Sequence, residues 1–349
     1  FRAPDFVLEA AKTRLDHGVF GYGHDMDAYL GAITWWMRTR HGWDVDPESV
    51  FTTTGLCNAI ALLLEAFTAR GDGVVTFTPV YHAFARTILG TGRQPVEVPL
   101  ARDGDRYGLD LDAAAAALTG KERVLLFCSP HNPVGRVWTR AELEAVAAFA
   151  EAHDLLLVSD EIHHDLVFPG HTHVPMAAIE GIAHRLIMLT APSKTFNLAG
   201  MSTGNVIIAD RALRATFARH MRALHIASTE LGITMATAAY SLEGAAWVDA
   251  LVTYLDTNRR AFDAGVNALP GLHSVPLEAT YLAWVDFAGT GMARDEIVQR
   301  VEREAGIAAN HGTTFGPGGA GFMRFNLGTQ RARVDEALRR LTQAFGDLQ

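Results

Sequence analysis

The stretch Ala191-Pro192-Ser193-Lys194-Thr195-Phe196-Asn197-Leu198-Ala199-Gly200 comes just after the apolar run Leu186-Ile187-Met188-Leu189. A run of that length reads as a buried strand. Lys194 therefore leaves a strand end and enters a loop of small and hydroxyl-bearing residues, with no charged neighbour to hold it. Desolvation lowers a lysine's pKa and frees its amine for nucleophilic attack, which is how Schiff-base lysines are made. A loop lysine beside a buried strand has the same local appearance, so the decision falls to its companions along the chain.

Upstream, Phe127-Cys128-Ser129-Pro130-His131-Asn132-Pro133-Val134-Gly135 carries an apolar strand into a turn with two prolines and a glycine. A helix follows near Thr139-Arg140-Ala141-Glu142. Asn132 then stands at the C-terminal edge of a strand, where open α/β sheets bind ligands. Asn-Pro also initiates turns, and the two roles are compatible. A proline bond in this turn is a candidate for the cis form.

Farther on, Leu155-Leu156-Leu157-Val158-Ser159-Asp160-Glu161-Ile162-His163-His164-Asp165 joins a continuous apolar run to an acid. Such a run reads as a strand buried on both faces of a parallel sheet. A carboxylate at its end must be paired or take up a proton. It serves either a cationic ligand or the next turn as a cap. His163, His164, Asp165, His171 and His173 crowd this region. Adjacent histidines on a strand point to opposite faces and no helical His-x-x-x-His pair is present, so no metal is expected. His171 and His173 read as surface loop residues.

Thr52-Thr53-Thr54-Gly55-Leu56-Cys57-Asn58-Ala59-Ile60 opens a helix that continues through Leu62, Leu63, Leu64 and Phe67. Glycine at a helix start lets backbone amides face an anion, and the helix dipole adds about 0.3–1 kcal/mol. Tyr81 follows another strand, in Thr78-Pro79-Val80-Tyr81-His82-Ala83-Phe84. Near the C-terminus, Arg324 is flanked by apolar residues on a short strand, where an unpaired guanidinium is costly. A planar fork bound to a carboxylate explains it, whether that carboxylate belongs to a ligand or to the chain.

Taken in order, these motifs resemble the pyridoxal-phosphate enzymes of the aspartate aminotransferase superfamily. Their wording is similar to its cystathionine β-lyase branch (MalY/PatB type). The resemblance runs from Gly21 to the final helix. It implies that Lys194 carries pyridoxal 5'-phosphate (PLP) as a Schiff base and acts as general base. It implies that Asp160 keeps the pyridine nitrogen protonated. Raising that nitrogen's pKa by about three units requires about 4 kcal/mol, which one close carboxylate supplies at an effective dielectric of about 20. Asn132 would donate to the phenolic oxygen, with His163 at the place where most aminotransferases carry a tyrosine. Tyr81 would stack on the ring. The Gly55 turn, the amides of Leu56 and Cys57, and the Ser193 hydroxyl would hold the phosphate. Arg324 would grip the substrate's α-carboxylate, beside Asn132 and Tyr81. Tyr22 matches a tyrosine that reaches the neighbouring subunit's site, which implies a homodimer with shared active sites.

One departure stands out in Gly200-Met201-Ser202-Thr203-Gly204. Ser202 occupies the position of the superfamily's phosphate-binding arginine, where the lyase branch usually has glutamine. Phosphate binding must rest on amides and hydroxyls. With His163, this tilts the expectation towards β-elimination from cystathionine or related cysteine S-conjugates, giving a thiol, pyruvate and ammonia. Transamination of amino acids is the alternative. A PLP-binding regulatory protein acting through protein contacts is a second.

The chain has 349 residues, 49% of them hydrophobic, enough for a large core and two domains. A net charge of −9 without a basic cluster argues against nucleic acid or an anionic membrane surface as partner. No run of apolar residues has membrane-spanning length. The two cysteines, Cys57 and Cys128, argue against a disulfide framework and fit a reducing cytoplasm. The sequence begins at Phe1, and the resemblance leads us to expect a further N-terminal stretch before it.

From residue 50 to 210, strand-like runs at 74–77, 94–98, 124–127, 155–159, 186–190 and 205–208 alternate with helical patterns. That predicts an α/β fold with a mostly parallel sheet, and the resemblance makes it the PLP-dependent transferase fold (fold type I). The expected division is a large PLP-binding α/β domain at 21–250 and a small α+β domain formed by 1–20 and 251–349.

Overall fold

A computed structural model describes residues 1–21 and 26–348 of the chain. In chain order the first strands are β1 (Val50–Thr53), β2 (Gly73–Thr78), β3 (Gln94–Pro99), a small ribbon of β4 (Ala101–Asp103) and β5 (Arg106–Gly108), β6 (Glu122–Cys128), β7 (Leu156–Asp160), β8 (Leu186–Thr190) and β9 (Gly204–Ile207). Seven of them form one sheet in the order β1-β9-β8-β7-β6-β2-β3. The pairs from β8 through β7, β6 and β2 to β3 are all parallel, and β9 runs antiparallel to both β8 and β1. The sheet is mostly parallel, as its apolar runs predict.

Both faces of the sheet are buried, and the two-residue alternation of a strand divides its side chains between them. Val75, Phe77, Leu125, Phe127, Leu157 and Met188 belong to one apolar cluster. Their neighbours Val74, Leu126, Cys128, Val158, Ile187 and Leu189 belong to another, packed on the helix Leu56–Phe67. The helix Arg140–Ala152 starts from a capping box in which Thr139 and Glu142 satisfy each other's backbone amides. The helix Asp5–His17 lies against the helix Glu230–Ala239, and its Val7 joins the first cluster.

The long helix Leu242–Asn267 leads to the C-terminal unit. Here β10 (His273–Ser274), β11 (Leu282–Asp286), β12 (Asn310–His311) and β13 (Phe322–Asn326) form an antiparallel sheet in the order β10-β11-β13-β12. Beside this sheet the chain is α-helical over Arg294–Val298 and continues as a π-helix over Gln299–Glu304. This sheet and the helix Arg331–Ala344 share a third apolar cluster.

A seam of hydrogen bonds joins the two units beside the Asn132 turn. Gly135 O accepts from Glu278 N and from Ala279 N, both at 3.0 Å. Phe168 N donates to Glu278 O at 3.0 Å, and Thr280 N to Leu166 O at 2.7 Å. Glu278 closes the set by accepting from Val137 N at 2.7 Å. Gly135 has φ +71 and lies so close to the 277–279 segment that an added Cβ would fall 2.2 Å from Leu277 Cδ2. Crowding by the Leu277 side chain and the left-handed conformation both favour glycine there.

Candidate active site

The C-terminal ends of the parallel strands open on one cavity of about 390 Å³. It is lined by residues that arrive from separate elements. Tyr81 follows β2, Asn132 follows β6, Asp160 ends β7, and Lys194 follows β8. Gly55, Leu56 and Cys57 come from the start of a helix, Ser193 and Ser202 from the loops around Lys194, and Arg324 from β13. Ten of the sequence-predicted site residues thus line a single space, with His163 among them. Tyr22 lies outside the described residues. Burial at this sheet edge follows from the parallel arrangement, whose strand ends all point the same way.

Asp160 is buried, and its carboxylate accepts one hydrogen bond, from Ile162 N at 3.2 Å. Burial pushes its pKa up to about 7, against the pull of Ile162 N–H and of Lys194. A buried carboxylate so poorly compensated either takes up a proton or meets a cationic partner on its open side. The protonated nitrogen of a pyridine ring is such a partner.

His163 is also buried, and its Nδ1 has no partner among the described residues. Burial, aided by Lys194 and Arg324, pushes its pKa down to about 3, so the imidazole is neutral at pH 7. A neutral imidazole has one N–H to give. The buried Tyr281 ring meets His163 edge-on at 6.0 Å, and burial pushes its hydroxyl up to about 12.

The turn expected to hold a phosphate is a glycine-led helix start. Gly55 has φ +97 and immediately precedes the helix Leu56–Phe67. The amides of Leu56, Cys57 and Asn58 belong to the first turn and have no intrahelical acceptor. No side chain would collide with a Cβ at Gly55, so its backbone angle is what calls for glycine. Ser202 faces the same cavity with φ +49. Apart from Lys194 and Arg324, no lysine or arginine lines the cavity among the described residues.

Arg324 Nη1 donates to Asn132 Oδ1 at 2.9 Å, and Nη2 donates to Asn310 Oδ1 at 2.8 Å. Its guanidinium lies 4.7 Å above the Phe315 ring, while Nε is buried without a partner. The internal ion pair that its sequence also allowed is not formed among the described residues. Burial lowers its pKa from the ordinary arginine value. A half-buried cationic fork whose described hydrogen-bond partners are both neutral has the chemistry to receive an external carboxylate.

These observations fit PLP and an amino acid: a lysine for the aldehyde, an acid for the ring nitrogen, amides for the phosphate and a fork for the α-carboxylate. Both Ser129–Pro130 and Asn132–Pro133 are cis, in the turn where a cis proline was expected. One sequence expectation needs correction. His173 is buried rather than on the surface, because its Nε2 bonds to Glu161 Oε2 at 2.8 Å, whereas His171 is exposed. Tyr281, Asn310 and Phe315 belong to the site and carried no motif.

Comparison with known proteins agrees with this geometry. The profile of the aminotransferase class I and II family matches residues 3–341. The cystathionine beta-lyase PatB of Bacillus subtilis (strain 168) is 37% identical over 348 residues, covering 99% of this chain and 90% of that protein. Protein MalY of Escherichia coli (strain K12) is 32% identical over 349 residues, covering 99% and 89% respectively. The crystal structure of cystalysin from Treponema denticola, which contains pyridoxal 5'-phosphate, superposes with a TM-score of 0.95 at 35% identity. That match covers 100% of this chain and 89% of the other. On its matched profile and on the course of its sheet, the chain belongs to the aminotransferase class I and II family.

Proposed function

We propose that this chain is a PLP-dependent carbon–sulfur lyase acting on cystathionine or related cysteine S-conjugates. The observation that carries the reading is one cavity holding Lys194, the under-compensated Asp160 carboxylate and the acid-free Arg324 fork. When bound, PLP supplies an electron sink that stabilises negative charge on the substrate's α-carbon.

The chain's own residues supply the rest. Arg324 binds the α-carboxylate through its two-pronged fork and orients the α-carbon. Asp160 holds the proton on the ring nitrogen by placing a negative charge beside it. The Asn132 amide and the neutral His163 imidazole give hydrogen bonds to the phenolic oxygen. Tyr81 covers the ring. The Leu56 and Cys57 amides, with Ser193, bind the phosphate. Lys194 Nζ anchors the cofactor and takes the proton from the α-carbon. With water consumed, a cysteine S-conjugate gives a thiol, pyruvate and ammonia.

Elimination is favoured over transamination by His163, by the absence of an arginine at Ser202, and by the likeness to the cystathionine beta-lyase PatB. We also take the enzyme to be a cytoplasmic homodimer with Tyr22 contributed across the interface. The exposed apolar side chains of Val19 and Phe20, 62% and 55% accessible, support a covered face beside that tyrosine. No helix among the described residues is long and apolar enough to cross a membrane.

The test is pyruvate release from a panel of cysteine thioethers, including cystathionine, run beside an amino acid with 2-oxoglutarate. Pyruvate from the thioethers with no keto-acid exchange is the expected result. Exchange without pyruvate makes the protein an aminotransferase. Neither activity, with PLP bound, leaves the regulatory reading.

A further inference from the structure

Asp165 is a buried acid that the reaction does not use, five residues past Asp160 at the far end of the same turn. Its carboxylate collects donors from three parts of the chain. Oδ1 accepts from Trp36 Nε1 at 3.0 Å and from His41 Nε2 at 2.9 Å. Oδ2 accepts from Thr195 Oγ1 at 2.9 Å and stands 3.4 Å from His164 Nε2, an ion-pair distance. His41, His164 and Asp165 bring ligand atoms within 4.8 Å of one another, which raises the question of a cation. A carboxylate has about four acceptor positions; three are filled here by Trp36, His41 and Thr195, and His164 Nε2 lies at ion-pair distance without a hydrogen bond. The cluster is therefore a hydrogen-bonded hub, and its distinctive spoke is Thr195, the neighbour of Lys194.

The turn that begins at Asp160 is itself firmly held. Glu161 N donates to Leu189 O at 2.9 Å, and Glu161 Oε1 accepts from Ser159 Oγ and Met176 N, both at 2.9 Å. The lysine turn is anchored by the buried Phe196 ring, stacked on Trp247 at 5.5 Å, but by fewer hydrogen bonds. Its own backbone bonds, Phe196 N to Pro192 O and Leu198 N to Ser193 O, are local. Thr195 makes the one buried side-chain hydrogen bond that leaves this turn among the described residues.

We infer that Asp165 is a positioning residue that acts through Thr195, setting the turn that presents Lys194 against the turn that presents Asp160. The inference rests on the functional reading above, because these two side chains must meet opposite ends of one PLP molecule. Displacements near 1 Å at a reacting group cost about a hundredfold in rate.

The experiment compares Thr195→Val, Thr195→Ser and Trp36→Phe with the wild-type enzyme. Two quantities are read: steady-state kcat and KM, and the rate at which visible absorbance grows when cofactor-free protein meets PLP. Thr195→Val is expected to lower kcat about 10–100-fold with KM within about twofold, and to slow attachment about tenfold. Thr195→Ser, which keeps the hydroxyl, is expected to recover most of both. Trp36→Phe removes a different donor from the same carboxylate and is expected to lower the melting temperature while leaving both readouts within about twofold. The inference is overturned if Thr195→Val attaches PLP and turns over like wild type, or if Trp36→Phe impairs both as much as it does. Where the valine variant does not fold, Thr195→Ala is read in the same way. Wild-type protein that develops no visible absorbance with PLP would instead sink the functional reading.

Discussion

The Asn132 side-chain oxygen accepts a hydrogen bond from Arg324 Nη1 at 2.9 Å, joining a residue of the β6 turn to one on β13. Because the oxygen is engaged by a cation that can only donate, the Asn132 amide must turn its NH2 group the other way. The group that would grip the substrate thus orients the group that would donate to the cofactor. Asn132→Ala should then raise KM as well as lower kcat, each by about tenfold, since Arg324 loses a partner. A double-mutant cycle with Arg324→Ala should show a coupling of about 1 kcal/mol or more. Additive effects would mean that the two side chains act separately.

Arg324→Ala alone should weaken substrate binding by about 2–5 kcal/mol, the range for a desolvated charge pair losing one member. Arg324→Lys should restore only part, because an ammonium lacks the planar fork. Inhibition by small carboxylates reads the effect directly. An unchanged KM in Arg324→Ala would remove the guanidinium from the substrate site.

Lys194→Ala should abolish the visible absorption band of the PLP-loaded protein and lower lyase activity by at least about a thousandfold. The spectrum decides the point without a substrate. A retained band would show that another lysine holds the cofactor.

The buried Asp160 gives the cofactor-free protein a pH signature. Its pKa is about 7 in the fold against an ordinary 3.8, so between these values the native state holds a proton that the unfolded chain has released. Stability should therefore fall as pH rises from about 4 to 7, by a few kcal/mol over the whole window. PLP should flatten the slope by supplying a cation, and Asp160→Asn should remove it while weakening PLP retention. Melting temperatures of the cofactor-free, PLP-loaded and Asp160→Asn proteins across this pH range check it.

Much of this architecture was legible because the central strands are buried on both faces. The runs ending at Asp160 and Thr190 are nearly uniform in hydrophobicity, and they announce strand, direction and ligand-bearing end together. The edge strand β1 was not foreseen. Its Val-Phe-Thr-Thr sequence is short and half-exposed, and its pairing with β9 makes it a strand. Asn310 enters the site only through the register of a two-residue strand, which sets it opposite Arg324. His41 and Asp165 lie 124 residues apart, a distance no local pattern spans. The buried state of His173 depends likewise on Glu161, whose carboxylate is reached only after the intervening loop folds back.

The bonded seam between Gly135 and the 278–280 segment limits how the protein can breathe. Lateral slippage of one half past the other would break five interlocked amide contacts at once. A swing that keeps the seam as its pivot need break none. A clam-like gape with its fulcrum beside Asn132 is therefore the motion that this seam permits.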